Sequence, residues 1–178
     1  SGCGSNLWSS ITIKNTVIKD NVAGHSGGLY FSDYSSFDLS NTVITDNTGN
    51  GIYIWDFSPG SVNIINCTIA NNSGPGIKYV GGSSQSAATN EPVIKNSIVW
   101  GNSSGFSVSD GTPSVTYSDI QGGYTGTGNI NSDPYFVNAS SDDYSLNNYS
   151  PAIGAGTATG APSTDIIGAT RPPPSGSN

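Results

Sequence analysis

The chain has 178 residues, only 10% of them charged, and a formal net charge of −7. Its cations, Lys14, Lys19, Lys78, Lys95 and Arg171, form no basic stripe, which argues against nucleic acid as a partner. No apolar run is long enough to span a bilayer as a helix, and scarce helix formers beside abundant Gly, Asn, Ser, Thr, Val and Ile favour strands and turns.

The sequence opens at SGCGSN without an initiator Met or a charged-then-apolar leader, as expected of a processed or excised piece. Low charge and an Asn/Ser/Thr/Gly-rich composition lead us to expect an extracellular protein, secreted or on the cell surface. Two cysteines, Cys3 and Cys67, are too few for a disulfide framework.

In chain order, the first recurring string is 15-NTVIKDN-21. It returns as 41-NTVITDN-47, as 66-NCTIANN-72 and, worn, as 96-NSIVWGN-102, with a weak echo at 118-SDIQGG-123. The steps between leading positions are 26, 25, 30 and 22 residues. Self-similarity at such a period marks a stacked array of coils. Two residues before each Asn stand Ile13, Leu39, Ile64 and Ile94, and three after stand Ile18, Ile44, Ile69 and Val99. Alternation with period two places these on one face of short strands, and the Asn breaks the phase as a corner. A second block follows each corner: 28-GLYFSD-33, 51-GIYIWD-56, 76-GIKYVG-81 and 105-GFSVSD-110, with Leu29, Ile52, Ile77 and Phe106 turned inward. Each repeat thus predicts three strands and three corners.

The predicted fold is all-β, a parallel β-helix (solenoid) of about five coils over residues 1–123. In that register Asn15, Asn41, Asn66 and Asn96 stack as a ladder, because an amide both donates and accepts and because Asn tolerates a left-handed corner. A second column, Asn21, Asn47, Asn72 and Asn102, opens the next loop. Insertion 81–91 reads as a polar surface loop. Residues 124–171 carry no repeat. Their Tyr135, Phe136, Tyr144, Leu146 and Ile153 are expected to cover the end or side of the helix, and 172–178 reads as linker. The N-terminal coil lacks a comparable cover, so end-to-end self-association or a neighbouring domain is expected there. Cys3 and Cys67 fall on different sheets about two coils apart, so both are expected free and buried.

The coil pattern resembles the right-handed parallel β-helix of the pectin-lyase-like superfamily, and the tail, with 133-DPYFVN-138 and 150-SPAIGAG-156, resembles the choice-of-anchor Q segment of secreted bacterial proteins. The resemblance implies that the Gly-led strands form the first sheet, which carries the active cleft in family enzymes. It also implies a bacterial, extracellular setting.

The outward column of that sheet would be Tyr30, Tyr53 and Lys78, with Trp55 beside it. Aromatic rings suit the CH faces of sugars, and a cation suits an acidic glycan. The same strip also reads as cross-strand packing. Asp33 and Asp56, with Asp110 further on, end these strands. They are candidates for an acid and nucleophile pair, or for a Ca²⁺ site, or are ordinary corner residues. Asp20 and Asp46 form a second such stack. His25, in AGHSGG before Tyr30, is the sole imidazole and reads equally as an idle loop residue. The resemblance implies lyases with an Arg or Lys base and hydrolases with clustered Asp. Only Lys78 lies on this sheet, and no nucleophile triad or metal-ligand spacing appears. The function expected is therefore polysaccharide binding without cleavage, of an acidic or algal/plant cell-wall type. The alternatives are a polysaccharide lyase or glycoside hydrolase, or a structural, adhesive segment.

Overall fold

The structure is a computed structural model. It describes residues 9–24, 26–32, 35–56, 60–81 and 91–171, with only the backbone of Ser9, Ser35 and Asp56. Coil one holds β1 (Ser9–Lys14), β2 (Val17–Lys19) and β3 (Leu29–Ser32). Coil two holds β4 (Ser35–Ser40), β5 (Val43–Thr45) and β6 (Ile52–Asp56), and coil three β7 (Val62–Ile65), β8 (Thr68–Ala70) and β9 (Ile77–Gly81). Coil four holds β10 (Val93–Lys95), β11 (Ile98–Trp100) and β12 (Phe106–Ser109). Coil five supplies only β13 (Ser114–Thr116) and β14 (Asp119–Ile120).

Like strands stack in parallel. Sheet A runs β1-β4-β7-β10-β13, sheet B runs β2-β5-β8-β11-β14, and sheet C runs β3-β6-β9-β12. This is the expected all-β parallel solenoid, with four complete coils and a partial fifth. The inward columns are those set by the alternation. Ile18, Ile44, Ile69, Val99 and Ile120 pair along sheet B, and Leu29, Ile52, Ile77 and Phe106 along sheet C. Most of these are fully buried. Each such aliphatic side chain stabilises the coil by about 1.5–3 kcal/mol relative to exposure.

The weak fifth repeat sits one residue earlier than its echo suggested. Tyr117, not Ser118, holds the corner with φ 51°, in the left-handed region that Asn15, Asn41, Asn66 and Asn96 occupy in the other coils. Ser118 belongs to the next column, with Thr16, Thr42, Cys67 and Ser97. There each hydroxyl donates to the carbonyl two residues back, at 2.8, 3.1, 2.9 and 2.9 Å for Thr16, Thr42, Ser97 and Ser118. The Cys67 thiol makes the same contact at 3.4 Å. Cys67 is free and buried as expected, and burial pushes its thiol up to about 12, so it stays protonated and unreactive at neutral pH. Cys3 lies outside the described residues.

The ladder is present, but its continuous form runs on the other Asn column. Corner amides join only in pairs, Asn41 to Asn15 at 3.0 Å and Asn96 to Asn66 at 3.4 Å. In the second column the Nδ2 of Asn21, Asn47 and Asn72 donates to the next Oδ1 at 3.0, 2.9 and 2.9 Å. The same Oδ1 atoms accept the backbone N–H of the preceding Asn. Asn47, Asn72 and Asn102 also donate to the carbonyls of Ile18, Ile44 and Ile69. These three amides are buried, where an unmet polar group is costly, so the column must be continuous. It also contributes to the need for Gly at the head of the two middle sheet C blocks. A Cβ on Gly51 would lie 2.8 Å from Asn72 Nδ2, and one on Gly76 would lie 2.7 Å from Asn102 Nδ2.

After β14 the stacking continues for a partial rung. Tyr117 N–H reaches Thr127 O, Ile120 N–H reaches Ile130 O, and the side chains of Asn129 and Asn131 accept the N–H groups of Ser118 and Gly122. A hairpin follows, β15 (Phe136–Asn138) and β16 (Asp143–Leu146), joined through a 3₁₀ turn at Ala139–Ser141. The remaining chain runs back along the solenoid. Tyr144 OH donates to Asp46 at 2.7 Å and accepts from Asn71 at 2.9 Å, and Lys19 meets Asp142 at 2.6 Å. Asn96 exchanges two bonds with Thr157, Asn41 donates to Thr164 O, and Arg171 donates to Asn41 Oδ1 at 2.8 Å. Beneath this strap Thr45 and Ala70, which face outward from sheet B by register, are fully buried. Of the expected covering residues, Tyr144 packs on Phe136 and bonds the corner residues of sheet B, whereas Tyr135 and Ile153 remain exposed.

Candidate functional site

The strap occupies the back of sheet B. Sheets A and C keep outward faces of opposite character. Along sheet A the outward column is Thr12, Asp38, Asn63, Val93 and Ser114, a row polar but for Val93, in which Asn63 donates to Asp38 at 2.7 Å. Along sheet C it is Tyr30, Tyr53, Lys78 and Ser107, flanked by Ser32, Trp55, Val80 and Ser109.

Register alone brings the sheet C rings together. Tyr30 and Tyr53 meet edge to face, with centroids 5.2 Å apart and an interplanar angle of 66°. Lys78 Nζ stands 4.9 Å from the Tyr53 centroid. The buried Ile52 and Ile54, on either side of Tyr53 along β6, anchor the strand, so this side of the platform is rigid. Tyr53 is thus engaged by both neighbours in its column. Tyr30 and Trp55 present the accessible apolar area, at 46% and 42% exposure. A cation over a ring and flanking exposed aromatics make a shallow amphipathic strip. The four residues expected to bind ligand, Tyr30, Tyr53, Trp55 and Lys78, therefore lie on one face of one sheet.

The candidate carboxylates are placed less fully. Asp33 and His25 lie outside the described residues, and Asp56 is described only as the backbone that pairs with Gly81 at the end of β6. Asp110 is an exposed corner residue with φ 59°, whose carbonyl accepts Gly81 N–H. Asp20 and Asp46 are corners too, each with φ 58°, and Asp46 serves the strap through Tyr144. Burial, reinforced by that contact, holds the Tyr144 phenol well above its ordinary range. Among the described residues no group of three or more His, Cys, Asp or Glu is placed to hold a metal.

One titratable group escaped the sequence reading. Asp119 opens β14 and is 3% exposed; its Oδ1 accepts Ser132 N–H at 3.1 Å, and its Oδ2 has no hydrogen-bond partner. Burial pushes its carboxyl up to about 6, with a smaller push from Asp133. It sits beneath the partial rung rather than in a cleft, so its role is structural. The signal available was its pairing with Ile98 and Thr68 in sheet B, which the mistaken fifth corner obscured.

Comparison with known proteins bears on the fold. Residues 2–91 match the model of the right-handed β-helix region family. A stretch of 86 residues, 46% of this chain, is 31% identical to Protein bark beetle of Drosophila melanogaster. It covers only 3% of that protein's length. No solved structure matches. The family match spans half of the chain and covers the first three of the coils built above, and the chain belongs to the right-handed β-helix region family.

Proposed function

We propose that this protein is a non-catalytic carbohydrate-binding module that lays an extended, acidic polysaccharide across sheet C outside the cell. The observation that carries this reading is the Tyr30–Tyr53–Lys78 column with Trp55 beside it. Sugar rings stack on Tyr30 and Trp55, which present the exposed ring area of the strip. The ammonium held over Tyr53 is then placed for a uronic or sulfated group. A rigid, stacked sheet needs little ordering on binding, which favours affinity from a shallow surface. Parallel strands set about 4.8 Å apart give the platform a regular spacing along the helix axis.

A glycan array read at low and moderate salt tests this. Acidic glycans of plant or algal cell-wall type should be retained and weaken with salt, since the contact to Lys78 is exposed. Lys78→Gln should lower retention of acidic glycans by about 3- to 10-fold, equivalent to about 1 kcal/mol, and leave neutral ones unchanged. Retention of no glycan would remove the reading. Release of reducing ends or of an unsaturated, ultraviolet-absorbing product would replace it with cleavage.

A further inference from the structure

Sheets A and B each have five strands and sheet C has four. Coil five leaves β14 through residues 121–124 and, among the described residues, lays no strand against β12. Phe106 is in register with the fully buried Ile52 and Ile77, yet it is only partly covered, and Tyr124 packs on it with ring centroids 5.0 Å apart. The missing strand leaves a pocket of about 350 Å³. Its lining is Ser103, Ser104, Phe106, Gln121 and Tyr124, with the backbone of three glycines. The volume lies in the range of about 300–1,000 Å³ typical of small-molecule sites, and an aromatic wall with a few polar groups is the usual composition of such a site.

The polar groups are available. Gln121 Oε1 accepts Gly101 N–H at 2.9 Å, which fixes the amide and leaves its NH₂ to donate. The Ser103, Ser104 and Tyr124 hydroxyls make no side-chain hydrogen bond among the described residues. No lining residue is charged. The pocket lies beside β12, the strand that ends sheet C: Phe106 lines it from the inward face, and the next residue, Ser107, ends the outward Tyr30–Tyr53–Lys78 column.

We propose that this pocket is a second carbohydrate subsite, which receives a neutral terminal sugar ring of a glycan lying along sheet C. The inference rests on the reading of sheet C as a glycan platform. Phe106 and Tyr124 offer apolar wall to the CH face of the ring, and the two serines, Gln121 and Tyr124 meet its hydroxyls. Lys78 selects an acidic sugar in mid-chain, whereas the pocket, whose lining carries no charged residue, takes a neutral ring. The platform therefore reads the body of the polymer and the pocket reads its end.

Amide-resolved NMR titration of the full chain tests this with two probes, methyl β-glucopyranoside and an oligogalacturonide. The neutral glycoside should shift Gly105, Gly122, Gly123 and Tyr124, and the acidic oligosaccharide should shift Tyr30, Tyr53 and Trp55. Ser103→Trp fills the pocket from an exposed turn without touching the core, and should abolish the glycoside shifts while leaving the platform shifts intact. Gln121→Ala should weaken the glycoside by about tenfold. Platform shifts with a silent pocket would overturn the subsite and leave the platform standing. Pocket shifts with a silent platform would overturn the platform, and with it the chain-end role. Glycoside shifts that survive in Ser103→Trp would overturn the assignment of the lining.

Discussion

Asp119 carries a carboxylate oxygen that no hydrogen bond meets, in a site that is 97% covered. Its folded pKa, about 6, lies above the ordinary carboxylate value of 3.8. The neutral form is therefore the one the fold prefers. The contribution to stability is fully present below about pH 4 and is lost as pH rises through about 6. Asp119→Asn keeps an acceptor for Ser132 N–H and removes the charge. It should raise stability at pH 7 by on the order of 1–3 kcal/mol and have little effect at pH 4. Denaturant unfolding of both proteins across that window checks the sign; parallel pH profiles would contradict it. The two Asn columns make a second contrast at this scale. Asn72→Ala strands the Asn47 backbone N–H and removes buried bonds to the carbonyls of Ile44 and Ala70 and to the amide of Asn102, so a loss of about 3 kcal/mol is expected. Asn66→Gly keeps the left-handed corner and loses one long bond, so its cost should stay under about 1 kcal/mol. Urea midpoints of the two variants separate these outcomes.

At the scale of elements, the repeat reported the solenoid directly, and for a physical reason. Each strand pairs with its own copy one coil away, so sequence period and spatial contact coincide. That is why Ile44, Ile52 and Ile64 were legible as core. The strap has no such period. Its partners, such as Asn96 with Thr157 and Asn41 with Arg171, lie 61 and 130 positions apart, with nothing in composition to link them. The fifth corner misled because Tyr117 supplies the left-handed residue without resembling Asn, and the neighbouring Ser118 looked the better match. The continuous ladder went to the column thought to open a loop, because burial, invisible in the string, decides which amides must be saturated. The strap also makes a prediction of its own. Tyr144→Phe removes the bonds to Asp46 and Asn71, which should cost about 1–2 kcal/mol and speed hydrogen exchange at Asp46 and Asn71 ahead of the core. Unchanged protection there would show that the other strap contacts hold it without the Tyr144 hydroxyl.

At the scale of the whole molecule, the solenoid assigns one task to each side. Sheet B is covered by the tail, sheet A presents a polar row, and sheet C presents aromatics with a cation. The partial rung at 127–130 closes sheet B and engages the last corner of sheet A. Head-to-tail stacking of copies through sheets A and B at this end would have to displace that rung. The platform was legible in the sequence because Tyr30, Tyr53 and Lys78 share one register position. The pocket was not, because it arises from a strand that coil five omits. The central claim is that sheet C binds an acidic polysaccharide through Tyr30 and Trp55, and calorimetric titration of wild type against Tyr30→Ala plus Trp55→Ala tests it most directly. Both side chains are largely exposed, so the double variant should keep the fold, which its denaturant unfolding checks. Loss of two aromatic anchors at about 1–2 kcal/mol each should weaken binding by at least about tenfold. Full affinity in the double variant would contradict the account.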